Sequence, residues 1–299
     1  MARIDIKHIL CPVDLSEPSR HAFQHALALA RWYRADVTLL QVIWDALPPV
    51  PFDPVQPRWR GLIDEAQEGL KGFAESEPAG GVTVTRRLSE GPLVTRIVEE
   101  AKELPADLIV IGTHGASGFE HLLLGSVTEK VLRKSPCPVL TVPPSAGEAP
   151  AVFAPFKTIL CAVDFSPSSL QGLSHALSLA KEAGGRLIVV YVVEWVIEAS
   201  RKGGGVDLDM AAFRHQLHEE AERRLQDVIP ADARTWCEVT EVVAGGRVHE
   251  EILRLAGEHA VDAIVLGVHA RNAISVAFLG STANHVVRTA RCPVLTVRT

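Results

Sequence analysis

Short apolar runs alternate along the chain with segments whose apolar residues recur every three or four positions. HILCPV at 8–13 is the first run. Ser16 then offers an N-cap side chain, with Pro18 in the first turn, for a helix predicted through about Tyr33. Ala22, Ala26, Leu29 and Ala30 recur within it at helical spacing. DVTLLQVI at 36–43 reads as the second strand. A Pro-rich stretch, 48–57, precedes a helix predicted from about Gly61 to Glu75. VTVTRRL at 82–88 is the third strand, followed by a helix around 92–103. DLIVIGT at 107–113 and PVLTV at 138–142 are the fourth and fifth strands, with a helix at 126–134 between them. Strands four and five are nearly all apolar, as parallel strands covered on both faces are. Alternating strand and helix predicts an α/β fold with a doubly wound parallel sheet. Ligands bind such sheets beyond the carboxyl ends of the strands, where the strand order reverses.

The pattern then starts again. ILCPVDLS at 9–16 returns as ILCAVDFS at 159–166, and HALALA at 25–30 as HALSLA at 175–180, both at an offset of 150. DLIVIG at 107–112 returns as DAIVLG at 262–267, and SPCPVLTV at 135–142 as ARCPVLTV at 290–297, at an offset of 155. A net insertion of five residues therefore falls between Val192 and Gly246. So long a period is a domain duplication. The expected domains are 1–145 and 156–299, with 146–155 as linker inside the Pro- and Ala-rich segment PPSAGEAPAVFAP.

Composition narrows the classes. The chain has 299 residues, 47% apolar and 22% charged, with a net charge of −6. That is a globular composition. The charges are interspersed without a basic stripe, so nucleic acid is not an expected partner. The start, MARIDIKHIL, carries charges at positions 3, 5 and 7, which a secretory signal does not. No apolar run approaches the ~18–20 residues of a membrane span, and a cytoplasmic protein is expected. Five cysteines without a CxxC read as buried reduced thiols. The helical pairs His21/His25 and His215/His218 lack further ligands, so no metal site is expected.

Chemistry concentrates in GTHGASGFEHLLLGS, 112–126. Gly112 closes strand four, Gly115 lies in the loop, and Gly125-Ser126 opens the next helix. Phosphate binding needs converging backbone N–H groups with no side chain in the way, which glycine permits. A helix N-terminus adds unpaired N–H groups and a favourable dipole. Asp14 ends strand one beside strand four and can accept hydrogen bonds from a nucleoside. Val42 ends strand two and offers backbone groups to a base edge. Plainer roles also fit: a turn for the glycines, a helix cap for Asp14, an exposed loop position for His114. The second copy, GVHARNAISVAFLGS at 267–281, keeps the spacing but has Ala270 for the second glycine.

With VDLS at 13–16, GTHG at 112–115, GSVTEKVLRKSPCPVLTV at 125–142 and their second-copy partners, the chain resembles the universal stress protein family, two domains in tandem. The resemblance implies adenine nucleotide binding, ATP with Mg²⁺, at Pro12, Asp14, Val42, Ile111, Gly112, His114, Gly115, Gly125, Ser126 and Val127. In the second copy it implies Asp164, Val192, Gly267, His269, Gly280, Ser281 and Thr282. It also implies strand order 3-2-1-4-5, pairing of domains through the last strand, and a homodimer of tandem chains with regulatory protein partners. Ala270 predicts weaker binding in the second half.

Three functions are then open. The first is an ATP-binding stress-adaptation module with little turnover and no catalytic residues, its first domain the stronger site. The second is a slow ATPase or nucleotidyl-transfer enzyme. Against it, there is no GxxxxGK[ST] loop, no strand-linked GxGxxG with its later acid, and little chain left for a substrate domain. The third is an interaction scaffold that has lost its nucleotide. Arg58-Trp59-Arg60 reads as a lid over the nucleotide or an interdomain contact.

Overall fold

The structure is a computed structural model that describes residues 4–43, 57–115, 124–146, 156–194, 210–268 and 279–298, without the side chains of 57–59 and 210–214. The expectations for the 48–56 stretch, the 116–123 loop, His269, Ala270 and most of the linker lie outside the described residues.

The first half runs β1 (His8–Pro12), α1 (Glu17–Tyr33), β2 (Asp36–Ile43), α2 (Pro57–Glu75), β3 (Val84–Glu90), α3 (Leu93–Glu103), β4 (Leu108–Gly112), α4 (Ser126–Lys134) and β5 (Val139–Val142). The second runs β6 (Thr158–Ala162), α5 (Pro167–Ala183), β7 (Arg186–Val193), α6 (Met210–Val228), β8 (Glu238–Gly245), α7 (Val248–Glu258), β9 (Ala263–Val268), α8 (Ser281–Thr289) and β10 (Val294–Arg298). A short 3-10 turn, Pro144–Ala146, follows β5.

Two boundaries differ from expectation. Helix α2 begins at Pro57, four residues before Gly61, because a proline at a helix start loses no hydrogen bond there. Strand β3 begins at Val84, since Gly80 and Gly81 turn the chain with φ of 58° and 88°. It ends where Gly91 takes φ of 122°.

The ten strands of the described residues join one sheet in the order β3-β2-β1-β4-β5-β10-β9-β6-β7-β8. Each half is the parallel 3-2-1-4-5 sheet that the family resemblance implies. The halves meet where β5 and β10 pair antiparallel, Leu140 opposite Leu295. Thr141 Oγ1 donates to the Val294 carbonyl at 3.1 Å, and Thr296 Oγ1 to the Val139 carbonyl at 3.2 Å. The two donations are equivalents under the approximate twofold axis through the seam.

Period two then sorts the core. Ile9, Val110, Leu140, Ile159 and Leu295 face helices α1, α2, α5 and α6 in one continuous cluster. Leu10, Ile109, Val139, Leu160 and Val294 face α3, α4, α7 and α8 in another. At the N-terminus of α1 the Ser16 hydroxyl accepts from the Ser19 N–H at 3.4 Å, and Ser166 caps α5 through Ser169 at 3.2 Å. Leu15 and Phe165, just before these caps, take φ of 63° and 62°. This sharp reversal carries the chain from strand end to helix start and leaves Asp14 and Asp164 at the carboxyl edge of the sheet.

Candidate nucleotide site

A cavity of about 330 Å³ opens at the carboxyl ends of β1 and β4, on the α3/α4 face. That volume lies within the ~300–1,000 Å³ of small-molecule sites. Of the first-copy residues implied by the resemblance, Pro12, Asp14, Ile111, Gly112, His114, Gly115, Gly125, Ser126 and Val127 line it. Val42 does not; it is partly buried in β2, paired with Ser89 of β3.

Asp14 does two things. Its Oδ1 accepts from the Ser16 N–H at 3.1 Å and from the Ser16 hydroxyl, which fixes the carboxylate across the helix start. Its Oδ2 lies toward Gly115, where an added Cβ would sit 2.6 Å from it. The loop passes so close to the acid that only glycine leaves the carboxylate in place.

Gly125 brings the loop back. Its N–H donates to the Thr113 carbonyl at 2.8 Å, and an added Cβ would meet that carbonyl oxygen at 3.1 Å. Thr128 Oγ1 donates to the Gly112 carbonyl at 2.8 Å. The His114 ring is held through Nδ1, 2.9 Å from Thr113 Oγ1. As N-cap of α4, Gly125 supplies no side-chain acceptor, so the first-turn N–H groups of Ser126 and Val127 get no side-chain cap from it. The result is a cradle of backbone donors at the positive end of a helix, facing one carboxylate.

Gly112 has a packing reason to be glycine. A Cβ there would lie 3.2 Å from the Pro18 carbonyl oxygen, in the first turn of α1. Its twin Gly267 is tighter still, 2.0 Å from the Ser168 carbonyl oxygen of α5. Val13, Ser19, Leu93, Ile97 and Thr128 also line the cavity, beyond the residues that the resemblance implies. Leu93 and Ile97 stand four apart on one face of α3, a spacing visible in the sequence but common to every core helix.

The second half repeats the frame with different contents. Asp164 Oδ1 accepts from the Ser166 N–H at 3.0 Å, as Asp14 does from Ser16. Val192 lies in β7, Gly267 in β9, and Ser281 and Thr282 open α8. Val268 and Ala283 replace Thr113 and Thr128, so the hydroxyl contact to the strand-end carbonyl is gone. The Gly-Ser helix starts also differ. Gly125 has φ −54° and Gly280 has φ 84°, so the backbone turns into the two helices differently at that glycine.

The other candidates resolve plainly. His25 is 3% exposed and its Nδ1 donates to the His21 carbonyl at 2.9 Å, a packing role. His215 and His218 face Glu219 and Glu222 on exposed turns of α6. All five cysteines are free. Burial pushes Cys137 up to about 11 and Cys292 up to about 12, and it raises Cys11 and Cys161 further. Among the described residues no cluster of three or more His, Cys, Asp or Glu could hold a metal, and no helix is long and apolar enough to cross a membrane. Arg58-Trp59-Arg60 forms the first turn of α2, on the sheet face opposite α3 and α4.

Comparison with known proteins places this architecture. The family model described as "Universal stress protein family" matches twice, at residues 5–143 and 155–298. A universal stress protein of Methanocaldococcus jannaschii is 39% identical over 140 residues, 46% of this chain and 81% of that protein. The crystal structure of a universal stress protein from Archaeoglobus fulgidus superposes with a TM-score of 0.66 at 24% identity, covering 97% of this chain and 98% of that one. A universal stress protein crystallised in complex with cAMP aligns with 46% of this chain and 97% of its own, at 27% identity and a TM-score of 0.39. The chain belongs to the universal stress protein family, with two family domains in tandem.

Proposed function

We propose that the chain is an adenine-nucleotide-binding stress-adaptation module that holds ATP in the first-half cavity with little turnover. The observation that carries this reading is the contact of Gly115 with Asp14: a bare backbone passes an acid at the mouth of a backbone-donor cradle, which a turn alone does not need. In this reading the α4 N-terminus and Gly115 receive the phosphates, Asp14 Oδ2 accepts from the nucleoside, and the Val42 backbone meets the base edge. Mg²⁺ accompanies the triphosphate, held mainly by phosphate oxygens and water. Asp14 serves as a positioning group, because Oδ1 is committed to Ser16. The second half is the weaker site, supported by Ala270, Val268 and Ala283 in place of Gly115, Thr113 and Thr128. Domains at 1–145 and 156–299, a cytoplasmic location, a homodimer of tandem chains and regulatory protein partners complete the proposal.

The test is calorimetric titration of ATP into the full chain, with a turnover assay on the same sample. Binding with negligible phosphate release supports the module. Rapid release supports a hydrolase. No binding by a folded chain overturns both.

A further inference from the structure

The seam between the halves carries a second cavity, of about 410 Å³. It lies at the amino ends of β1, β4 and β5, away from the nucleotide cavity. Its wall is apolar: Ile6, Leu29, Leu108, Phe156, Leu179 and Leu295. The approximate twofold axis pairs several of these, Ile6 with Phe156 and Leu29 with Leu179, one from each half.

The same symmetry predicts a counterpart beside α1. There the chain itself takes the place. The turn Pro144–Ala146 packs on α1, Ser145 Oγ donates to the Arg291 carbonyl at 3.3 Å, and Ala146 joins the core. Beside α5, among the described residues, no turn does the same. Ile4 arrives instead and donates its N–H to Ser178 Oγ at 3.0 Å, forming one side of the cavity. One compartment is thus closed from within, and the other keeps a volume in the range of small-molecule sites.

The polar groups define what fits. His175 Nδ1 lies 3.0 Å from the Gln171 carbonyl, which can only accept. Nδ1 therefore carries the proton, and the neutral ring leaves Nε2 as an acceptor. Asp5 and Asp107 bring negative charge to the wall. Asp107 Oδ2 already accepts from the Lys7 and His8 N–H groups at 2.8 and 3.0 Å, and Asp5 pairs with the Lys7 ammonium at 2.9 Å. An anion would meet these acids inside a largely apolar chamber, with only the neutral Ser174 hydroxyl and Gln171 amide on the wall to set against its desolvation cost.

We propose that the seam cavity binds an uncharged, largely apolar alcohol, its chain against the leucines and its hydroxyl donating to His175. The site is independent of the nucleotide reading, and its test does not use ATP. Titrate 1-decanol and decanoate into the full chain at pH 7.5 by calorimetry. Decanol binds saturably, and decanoate binds at least about tenfold more weakly. Ser174→Trp, which adds an indole to the cavity wall, abolishes decanol binding with an unchanged far-ultraviolet circular dichroism spectrum. His175→Phe keeps the apolar wall and weakens binding by about fivefold, one hydrogen bond's worth. Unsaturable partitioning of decanol, equal binding of decanoate, or full decanol binding by a folded Ser174→Trp chain would overturn the proposal. Should Ser174→Trp not fold, the decanol–decanoate comparison on the unaltered chain decides.

Discussion

A methyl group added at Gly267 would lie 2.0 Å from the Ser168 carbonyl oxygen, and one added at Gly115 would lie 2.6 Å from Asp14 Oδ2. The first obstacle is backbone inside a packed strand–helix contact, where a Cβ added at Gly172 would likewise lie 2.9 Å from the Gly267 N. The second is the end of a side chain at the edge of a cavity. Gly267→Ala is therefore expected to cost about 1–3 kcal/mol of stability, as overpacking does, while Gly115→Ala stays within about 0.5 kcal/mol. Denaturant melts of both variants check this. Equal losses would show that position 115, too, is a packing glycine. The sequence motif could not separate the two, because spacing shows where glycines stand and not what approaches them. Asp107 makes the same point. It opens the repeated DLIVIG run, yet its Oδ2 ties down the Lys7 and His8 N–H groups at the amino end of β1, as Asp262 does for Lys157 and Thr158.

Helices α1 and α5 carry the clearest repeated devices: a serine cap, a proline in the first turn, and a histidine on the buried face. His25 and His175 each donate Nδ1 to the carbonyl four residues back. Burial lowers the pKa of both from the ordinary 6.5, against the opposing pull of that carbonyl. Each is neutral in the fold and takes up a proton more readily once unfolded. Stability is thus fully present above about pH 6.5 and falls as pH drops below it toward the lowered values. Urea melts at pH 7.5 and 5.5 show the decline, and the double variant His25→Gln, His175→Gln flattens it. An unchanged slope in the double variant would assign the decline to other groups. Helix α1 was legible to within about a residue from its Ser16 cap and its periodicity, and α3 and α4 from their places between apolar strand runs. Helix α2 was not, because its first residue, Pro57, closes a Pro-rich stretch that reads as loop.

Joining β5 to β10 makes ten strands into one sheet, with a single core cluster on each face that runs through both halves. Neither half then has an apolar edge at PVLTV to protect, which is the management an exposed edge strand needs. Thermal unfolding is expected to be one transition by fluorescence and circular dichroism together, since losing either half strips its partner's fifth strand. Two separated transitions would mean that the seam contributes little. The tandem repeat and the strand order within each half were readable from offsets of 150 and 155 and from the family resemblance. The divergence of the two sites was only partly so. Ala270 showed in the motif, whereas the loss of the Thr128 hydroxyl contact and the changed φ at Gly280 depend on neighbours distant in the chain.

The nucleotide reading meets its sharpest test in one calorimetric titration of ATP against Gly115→Ala beside the unaltered chain. The unaltered chain binds ATP with one dominant site per chain, and Gly115→Ala, folded and as stable, loses at least about tenfold in affinity, or 1.4 kcal/mol. Two equal sites per chain, or unchanged affinity in Gly115→Ala, would contradict the assignment of the first-half cradle as the ATP site.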